Sequence, residues 1–230
     1  EGLLDALSGR WSQWTDGAFV TRPFGAAGAG SFFAHGPEDV EAQAGEDFGP
    51  WRASRYMPHL WDPTVLAVVA SPEEVVILGM ADQRIEGGTR FRGSCAPTLL
   101  PGDVVEALRV HTRTVGALMA RDGYRGIFGC DYVVGDDGRI LLVEVNARKQ
   151  GTTMEMACAR ELAMPGAPSL TDLEYEAVVL GRFRRPVAEL ETDQAALHWG
   201  TYNFKVDREV ETGSYLPQRE DERAMFRSFA

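Results

Sequence analysis

The stretch that most constrains this chain runs from Gly126 to Thr153. Ile127–Val134 is apolar and β-branched, Gly135-Asp136-Asp137-Gly138 has turn chemistry, and Arg139–Val145 is apolar again, so the segment reads as strand, tight turn, strand. The near-continuous apolar run of the second strand predicts burial on both faces, and it ends in a carboxylate and an amide, Glu144 and Asn146. Period two puts those two side chains on one face. Cross-strand pairing then brings Asp131 of the first strand near both. Two carboxylates and an amide oxygen form a hard-oxygen set suited to Mg²⁺, which usually shares such ligands with substrate phosphates. Arg148, two residues further on, offers a guanidinium fork for phosphate or carboxylate. The plainer reading is of solvated charges at a strand end. Against it stand Leu141, Leu142, Val143 and Val145, which flank Glu144 and make it hard to keep in water.

The pattern D-x(12)-E-x-N-x-R, set in strand–turn–strand, resembles the metal-binding core of the ATP-grasp superfamily. The resemblance covers roughly residues 18 to 155. It implies an α+β fold in which two α+β subdomains grip ATP. The implied chemistry uses ATP and Mg²⁺ to activate a carboxylate as an acyl phosphate, which an amine then attacks. Carried over residue by residue, Asp131 and Glu144 are Mg²⁺ ligands, Asn146 is a further ligand, and Arg148 is the catalytic clamp on the phosphate and acyl phosphate. A biotin-carboxylase-like activity on bicarbonate is the nearest rival, because Asn146, Arg148 and Gln150 reproduce N-x-R-x-Q. Thr152, however, stands where that pattern usually has an acid.

Upstream, Ala18–Pro23 reads as a strand ending in Arg22-Pro23, followed by a glycine-rich run and a second strand at Ser31–Ala34. Glycines let backbone N–H groups approach phosphates while a cation neutralises them. The alternative is a flexible Gly/Ala linker. In the family this is the glycine-rich loop over the triphosphate, which makes Arg22, Gly25, Gly28, Gly30 and Ser31 nucleotide-binding candidates. Arg22 stands where lysine is usual, and its reach and geometry differ. Trp51–Met57 reads as a strand. By position, Arg55, Tyr56 and Met57 fall at the adenine-binding hinge, although an ordinary buried strand explains the segment equally well. Asp82–Arg92 is polar and glycine-bearing, with three arginines. The resemblance makes Gln83, Arg90 and Arg92 ligands for the acyl substrate, and a solvated loop is the alternative. Cys130 reads as a small core residue rather than a nucleophile.

Thr64–Ala70 and Val75–Met80 are expected strands, and Pro101–Asp122 is an amphipathic helix. Gly151-Thr152-Thr153 opens a helix whose N-terminus would face the phosphate site. Met164–Leu170 is a Pro/Gly break. The expected division is 1–57 as the small subdomain, 58–163 as the large one with the metal site, and 164–230 as a C-terminal extension of weaker pattern, with strands expected around 195–215 and a charged helix at Gln218–Phe229. The N-terminal α/β domain that precedes this core in the family has no counterpart in the sequence, so a fragment, a processed chain or a reduced form is expected, with a homodimer or a partner chain completing it.

The 230 residues carry a net charge of −11, which argues against nucleic acid or an anionic membrane as partner. No apolar run approaches the ~20 residues of a membrane span. Three scattered cysteines give neither a disulfide framework nor a zinc pattern, which points to the cytoplasm. The expected function is an ADP-forming carboxylate–amine ligase acting on an amino acid or peptide. The rival of another class is an ATP-binding module or accessory subunit with little turnover.

Overall fold

The computed structural model describes residues 3–23, 30–44, 49–88, 90–191 and 198–202. They fall into two compact units, one drawn from residues 1–60 and 84–92, the other from 61–83 and 93–230.

The first unit begins with α1 (Leu3–Ser8), β1 (Ala18–Thr21), β2 (Phe32–Ala34), α2 (Pro37–Ala44) and β3 (Arg52–Arg55). β1 is the central strand of an antiparallel sheet in the order β2-β1-β3. Alternation sends Ala18 and Val20 into a core with Leu7, Ala34 and Val40, around which Trp11, Trp14 and Trp51 pack. Pro37 starts α2 with Glu38 and Asp39 in its first turn, and Asp39 Oδ2 accepts the backbone N–H of His35 at 2.7 Å.

The remaining elements are β4 (Asp62–Ser71), β5 (Glu74–Glu86), β6 (Arg90–Ala96), α3 (Gly102–Arg121), β7 (Gly126–Val134), β8 (Ile140–Asn146), α4 (Thr153–Ala163), α5 (Leu170–Tyr175), α6 (Val187–Leu190) and β9 (Trp199–Gly200). A π-helical turn, Glu176–Leu180, continues α5. The strands form a six-stranded sheet in the order β8-β7-β4-β5-β6-β9.

In the second unit period two divides the central strands between two cores. Val65, Ala67, Val69, Phe128, Cys130 and Tyr132 meet Leu108 and its neighbours on α3. Leu66, Val68, Ala70 and Ile127 meet Met156, Leu170, Leu173 and Leu190 on the opposite face. Residues 170–190 therefore share a core with β4, β5 and Ile127 of β7. Leu173 and Leu190, both fully buried, each contribute on the order of 2 kcal/mol of apolar burial. A β-bulge at Leu78 frees the Ile77 N–H, which donates to Glu191 Oε1 at 3.0 Å. Arg113 Nη2 reaches Glu191 Oε2 at 2.7 Å, and Arg109 donates to the same carboxylate. No helix among the described residues is long and apolar enough to cross a membrane.

Two expectations need correction. The solvated-loop alternative for Asp82–Arg92 does not hold: β5 runs to Glu86, Gly87 and Gly88 turn the chain with φ of 58° and 73°, and β6 begins at Arg90. Positive φ at two successive glycines is what a tight hairpin turn requires. Nor is β8 buried on both faces. It is the last strand of its sheet, and Leu141, Leu142, Val143 and Val145 are 48%, 45%, 60% and 37% exposed. The segments expected beyond Tyr202 lie outside the described residues.

Candidate functional site

The predicted hairpin forms. Gly138 takes a φ of 77°, and Asp137 Oδ1 accepts the Arg139 N–H at 3.1 Å to close the turn. β7 and β8 pair antiparallel, with Asp131 opposite Glu144 and Gly129 opposite Asn146. Val143 is an extra residue in that ladder, because Asp131 pairs with Glu144 but Tyr132 pairs with Leu142. The bulge shifts the alternation by one residue. Ile140 thus packs beside Tyr132 and Val134 in the α3-side core, while Glu144 pairs with Asp131. Strict alternation would have kept Ile140, Leu142, Glu144 and Asn146 on one face. The bulge aims only the last two at Asp131.

A polar row then crosses the sheet. Thr64 on β4 pairs with Asp131 in the ladder. Gln83 Nε2 on β5 donates to Asp131 Oδ1 at 3.0 Å, and Asn146 Nδ2 donates to Oδ2 at 3.0 Å. Asn146 spends its nitrogen on Asp131 and keeps its oxygen for a further partner. Burial, reinforced by the facing Glu144 carboxylate, pushes the Asp131 carboxyl above its ordinary value, against the lowering pull of hydrogen bonds from Asn146 and Gln83. Glu144 is exposed. Two carboxylates in register with an amide oxygen beside them suit a hard divalent cation. Among the described residues no three of His, Cys, Asp and Glu come together.

Gln150, beyond the end of β8, turns back onto this row. Its Nε2 donates to Thr64 Oγ1 at 2.9 Å and to Thr152 Oγ1 at 3.2 Å. It lies over Gly129, where a Cβ would stand 1.8 Å from Gln150 Oε1. Sequence reasoning placed Gln150 only in the bicarbonate pattern and missed Thr64. The available signals were a threonine opening an otherwise apolar strand and a glycine two residues before Asp131.

The other candidates are placed as follows. Arg148 is exposed, with Nη1 donating to the Lys149 carbonyl at 3.0 Å. β8 stops at Asn146, so strand periodicity does not extend to Arg148. In the first unit the Arg22 guanidinium stacks on Trp51, 3.7 Å from the ring centroid. Gly30 has a φ of 75°, and a Cβ there would meet Arg22 Cγ at 3.1 Å. Ser31 Oγ lies 2.8 Å from Thr21 Oγ1. Gly25 and Gly28 lie outside the described residues. Arg55 pairs with Asp16 at 3.2 Å, and the Met57 carbonyl is bonded to His59 Nδ1 at 2.8 Å. Tyr56 donates its N–H to the Gly17 carbonyl at 2.9 Å and sets its ring edge-on to Phe33, centroids 4.8 Å apart. Arg92 pairs with Glu86 on its own hairpin at 2.6 Å, and Arg90 is exposed. Of the three proposed acyl-substrate ligands, Gln83 alone belongs to the unit that carries Asp131.

Cys130 is buried on the α3 side, and burial pushes its thiol up to about 11. That removes it as a nucleophile at neutral pH.

A small antiparallel sheet with two helices and a larger helix-flanked sheet whose edge hairpin carries a row of polar side chains make this an α+β protein. Residues 19–152 match the family described as the ATP-grasp domain, and the chain belongs to that family. The fold agrees with solved structures. Carboxyaminoimidazole ribonucleotide synthase from Aspergillus clavatus, complexed with ATP, has a TM-score of 0.63 at 18% identity over 84% of this chain and 48% of its own. Biotin carboxylase from Campylobacter jejuni, in a β-γ-ATP complex, has a TM-score of 0.61 at 18% identity over 81% and 42%. The biotin carboxylase domain dimer of Hydrogenobacter thermophilus 2-oxoglutarate carboxylase, with MgADP, ADP and bicarbonate, has a TM-score of 0.58 at 16% identity over 86% and 43%. This chain spans less than half the length of these structures. No curated protein matches it in sequence.

Proposed function

We propose that this chain is the nucleotide- and metal-handling core of an ATP-dependent, ADP-forming ligase that activates a carboxylate and joins it to an amine, with an amino acid or peptide as substrate. The observation that carries this reading is the row Glu144–Asp131–Thr64, with Asn146 and Gln83 donating to the Asp131 carboxylate. Asp131, Glu144 and the Asn146 oxygen would hold Mg²⁺, which would supply positive charge against the phosphates of ATP. In the forward reaction a substrate carboxylate oxygen bonds to the γ-phosphorus as the bond to ADP breaks. The amine nitrogen then bonds to the acyl carbon, and phosphate and a proton leave. Arg148, exposed at the end of the hairpin, is the proposed clamp on the developing negative charge. Gln83, Arg90 and Arg92 are the proposed acyl-substrate ligands, and Arg22, Gly25, Gly28, Gly30, Ser31, Arg55, Tyr56 and Met57 the nucleotide ligands.

The same proposal divides the chain into subdomains at 1–57 and 58–163, with 164–230 as an extension. It sets the chain in the cytoplasm, in keeping with three free thiols, and completes it with a second copy or a further segment. A second reading, nucleotide binding with little turnover, is favoured by Arg22, whose guanidinium is stacked on Trp51.

The test is Mg²⁺-dependent ADP release with pooled amino acids, with bicarbonate, and with neither, for the native chain and Glu144→Ala. Release that needs amino acids and is lost in the variant supports the ligase. Release driven by bicarbonate alone overturns it in favour of carboxylation, and binding without release supports the second reading.

A further inference from the structure

The family resemblance casts Gln83 as a ligand for the acyl substrate. Its hydrogen bond gives it a task that needs no substrate. Gln83 Nε2 donates to Asp131 Oδ1 at 3.0 Å, and Asn146 Nδ2 donates to Asp131 Oδ2 at 3.0 Å. The two amides come from opposite sides, because the sheet runs β8-β7-β4-β5 and Asp131 stands on β7. An ionised carboxylate only accepts, so each amide must turn its nitrogen to Asp131. The terminal torsion of an aspartate is otherwise soft. Held at one oxygen from β5 and at the other from β8, the carboxylate cannot swing without breaking a bond. Each oxygen still keeps a lone pair for a cation.

β4 lies between β5 and β7, so about 9–10 Å separate their backbones. Gln83 is also out of step with Asp131: it pairs with Asp62, whereas Asp131 pairs with Thr64, two residues along β4. A side chain on β5 must therefore pass over β4 to touch Asp131, and the length of glutamine closes that gap. The strand is held from its other face at this point. Asp82 accepts the Thr98 hydroxyl at 2.6 Å and the Leu99 N–H at 3.0 Å. Successive strand residues point to opposite faces, so Asp82 anchors β5 while Gln83 holds the carboxylate.

We infer that Gln83 is a positioning residue: its amide and that of Asn146 brace the Asp131 carboxylate from β5 and β8 and set its orientation toward a divalent cation. Gln83 acts through Asp131, so this role rests on the metal reading proposed above. Gln83 Nε2 keeps a second N–H, and any contact with an acyl group is additional. Removing a partner of this kind from a metal ligand typically weakens metal affinity by about 10–100-fold.

The test measures Mn²⁺ binding to the purified full chain, without ATP or amino acids, by loss of the free-ion electron paramagnetic resonance signal. The variants are Asp131→Asn, Gln83→Met, Gln83→Asn and Glu191→Ala, each with its melting temperature. The native chain is expected to bind Mn²⁺ and Asp131→Asn to lose it. Gln83→Met keeps the length without the donor, and Gln83→Asn keeps the amide but falls a methylene short. Both should weaken binding by about tenfold or more. A residue that touched only the acyl substrate would leave Mn²⁺ binding unchanged here. Glu191→Ala removes bonds to Ile77 and Arg113, away from Asp131, and should bind Mn²⁺ as the native chain does, which separates positioning from a general loss of stability. If Gln83→Met does not fold, Gln83→Asn decides. Native-like affinity in a folded Gln83 variant, or a loss no larger than that of Glu191→Ala, with binding lost in Asp131→Asn, overturns the brace and leaves the metal site standing. Undiminished binding in Asp131→Asn, or none in the native chain, overturns both.

Discussion

Gly129→Ala should displace Gln150. The new Cβ would stand 1.8 Å from Gln150 Oε1, 2.3 Å from Cδ and 2.9 Å from Nε2, so the amide cannot stay. Leaving breaks the bonds to Thr64 and Thr152, at about 0.5–1.5 kcal/mol each, or about 1–3 kcal/mol together. Alanine recovers about 0.5–1 kcal/mol of backbone entropy relative to glycine in a strand. The net cost is about 1–2 kcal/mol, and in a chain of this size each kcal/mol lowers the melting temperature by about 2–4 °C. A double-mutant cycle isolates the cause. In a Gln150→Ala background nothing is left to displace, so adding Gly129→Ala should be neutral or stabilising, a coupling of about 1–2 kcal/mol. Urea unfolding followed by tryptophan fluorescence reads all four corners. A Gly129→Ala cost that is the same in both backgrounds would refute this reasoning, because the steric conflict would then lie elsewhere.

Glu191→Ala should cost about 2–4 kcal/mol in the same assay, since it leaves the Ile77 N–H and two partly buried guanidinium groups without their shared acceptor. Val143→Lys, by contrast, should change stability by no more than about 0.5 kcal/mol, because Val143 is the exposed bulge residue of an edge strand. The raised Asp131 carboxyl gives a pH dependence of defined sign. In the unliganded protein its contribution to stability is present below the ordinary carboxyl range and is lost as pH rises through the elevated folded value. A cation needs the ionised form, so Mn²⁺ affinity should decline on acidification at a higher pH than an unperturbed aspartate would give, as read by titration across pH 4–7.

The hairpin was legible because its signals are local: β-branched runs, a Gly-Asp-Asp-Gly turn and an acidic strand end. That Asp131 comes near the acidic strand end was also legible, but regular pairing from that turn sets Asp131 opposite Val143, and only the bulge brings Glu144 into register with it. The exposure of β8 was not. An apolar run such as Ile140–Val145 does not tell a central strand from an edge one, which depends on strand order. The bulge at Val143 was hidden for a related reason, because the length of the stretch is compatible with either register. Asp82–Arg92 carried a readable signal, two glycines flanked by alternating residues, but its polar composition left a solvated loop open as an alternative. Thr64 and Gln150 are 86 positions apart, and only the folded sheet brings them together. The role of residues 170–190 in the core was equally invisible, because their apolar spacing does not say which sheet face they cover.

The acyl-phosphate route can be read most directly by isotope transfer. The protein is supplied with ATP, Mg²⁺ and a pool of amino acids carrying ¹⁸O in their carboxylates, and the released phosphate is analysed by mass spectrometry. If a substrate carboxylate attacks the γ-phosphorus, one labelled oxygen leaves with each phosphate, and Glu144→Ala abolishes the transfer together with ADP release. Phosphate released at full rate without label would mean that water or bicarbonate, not a carboxylate from the pool, attacks the γ-phosphorus, and would contradict the proposed ligase.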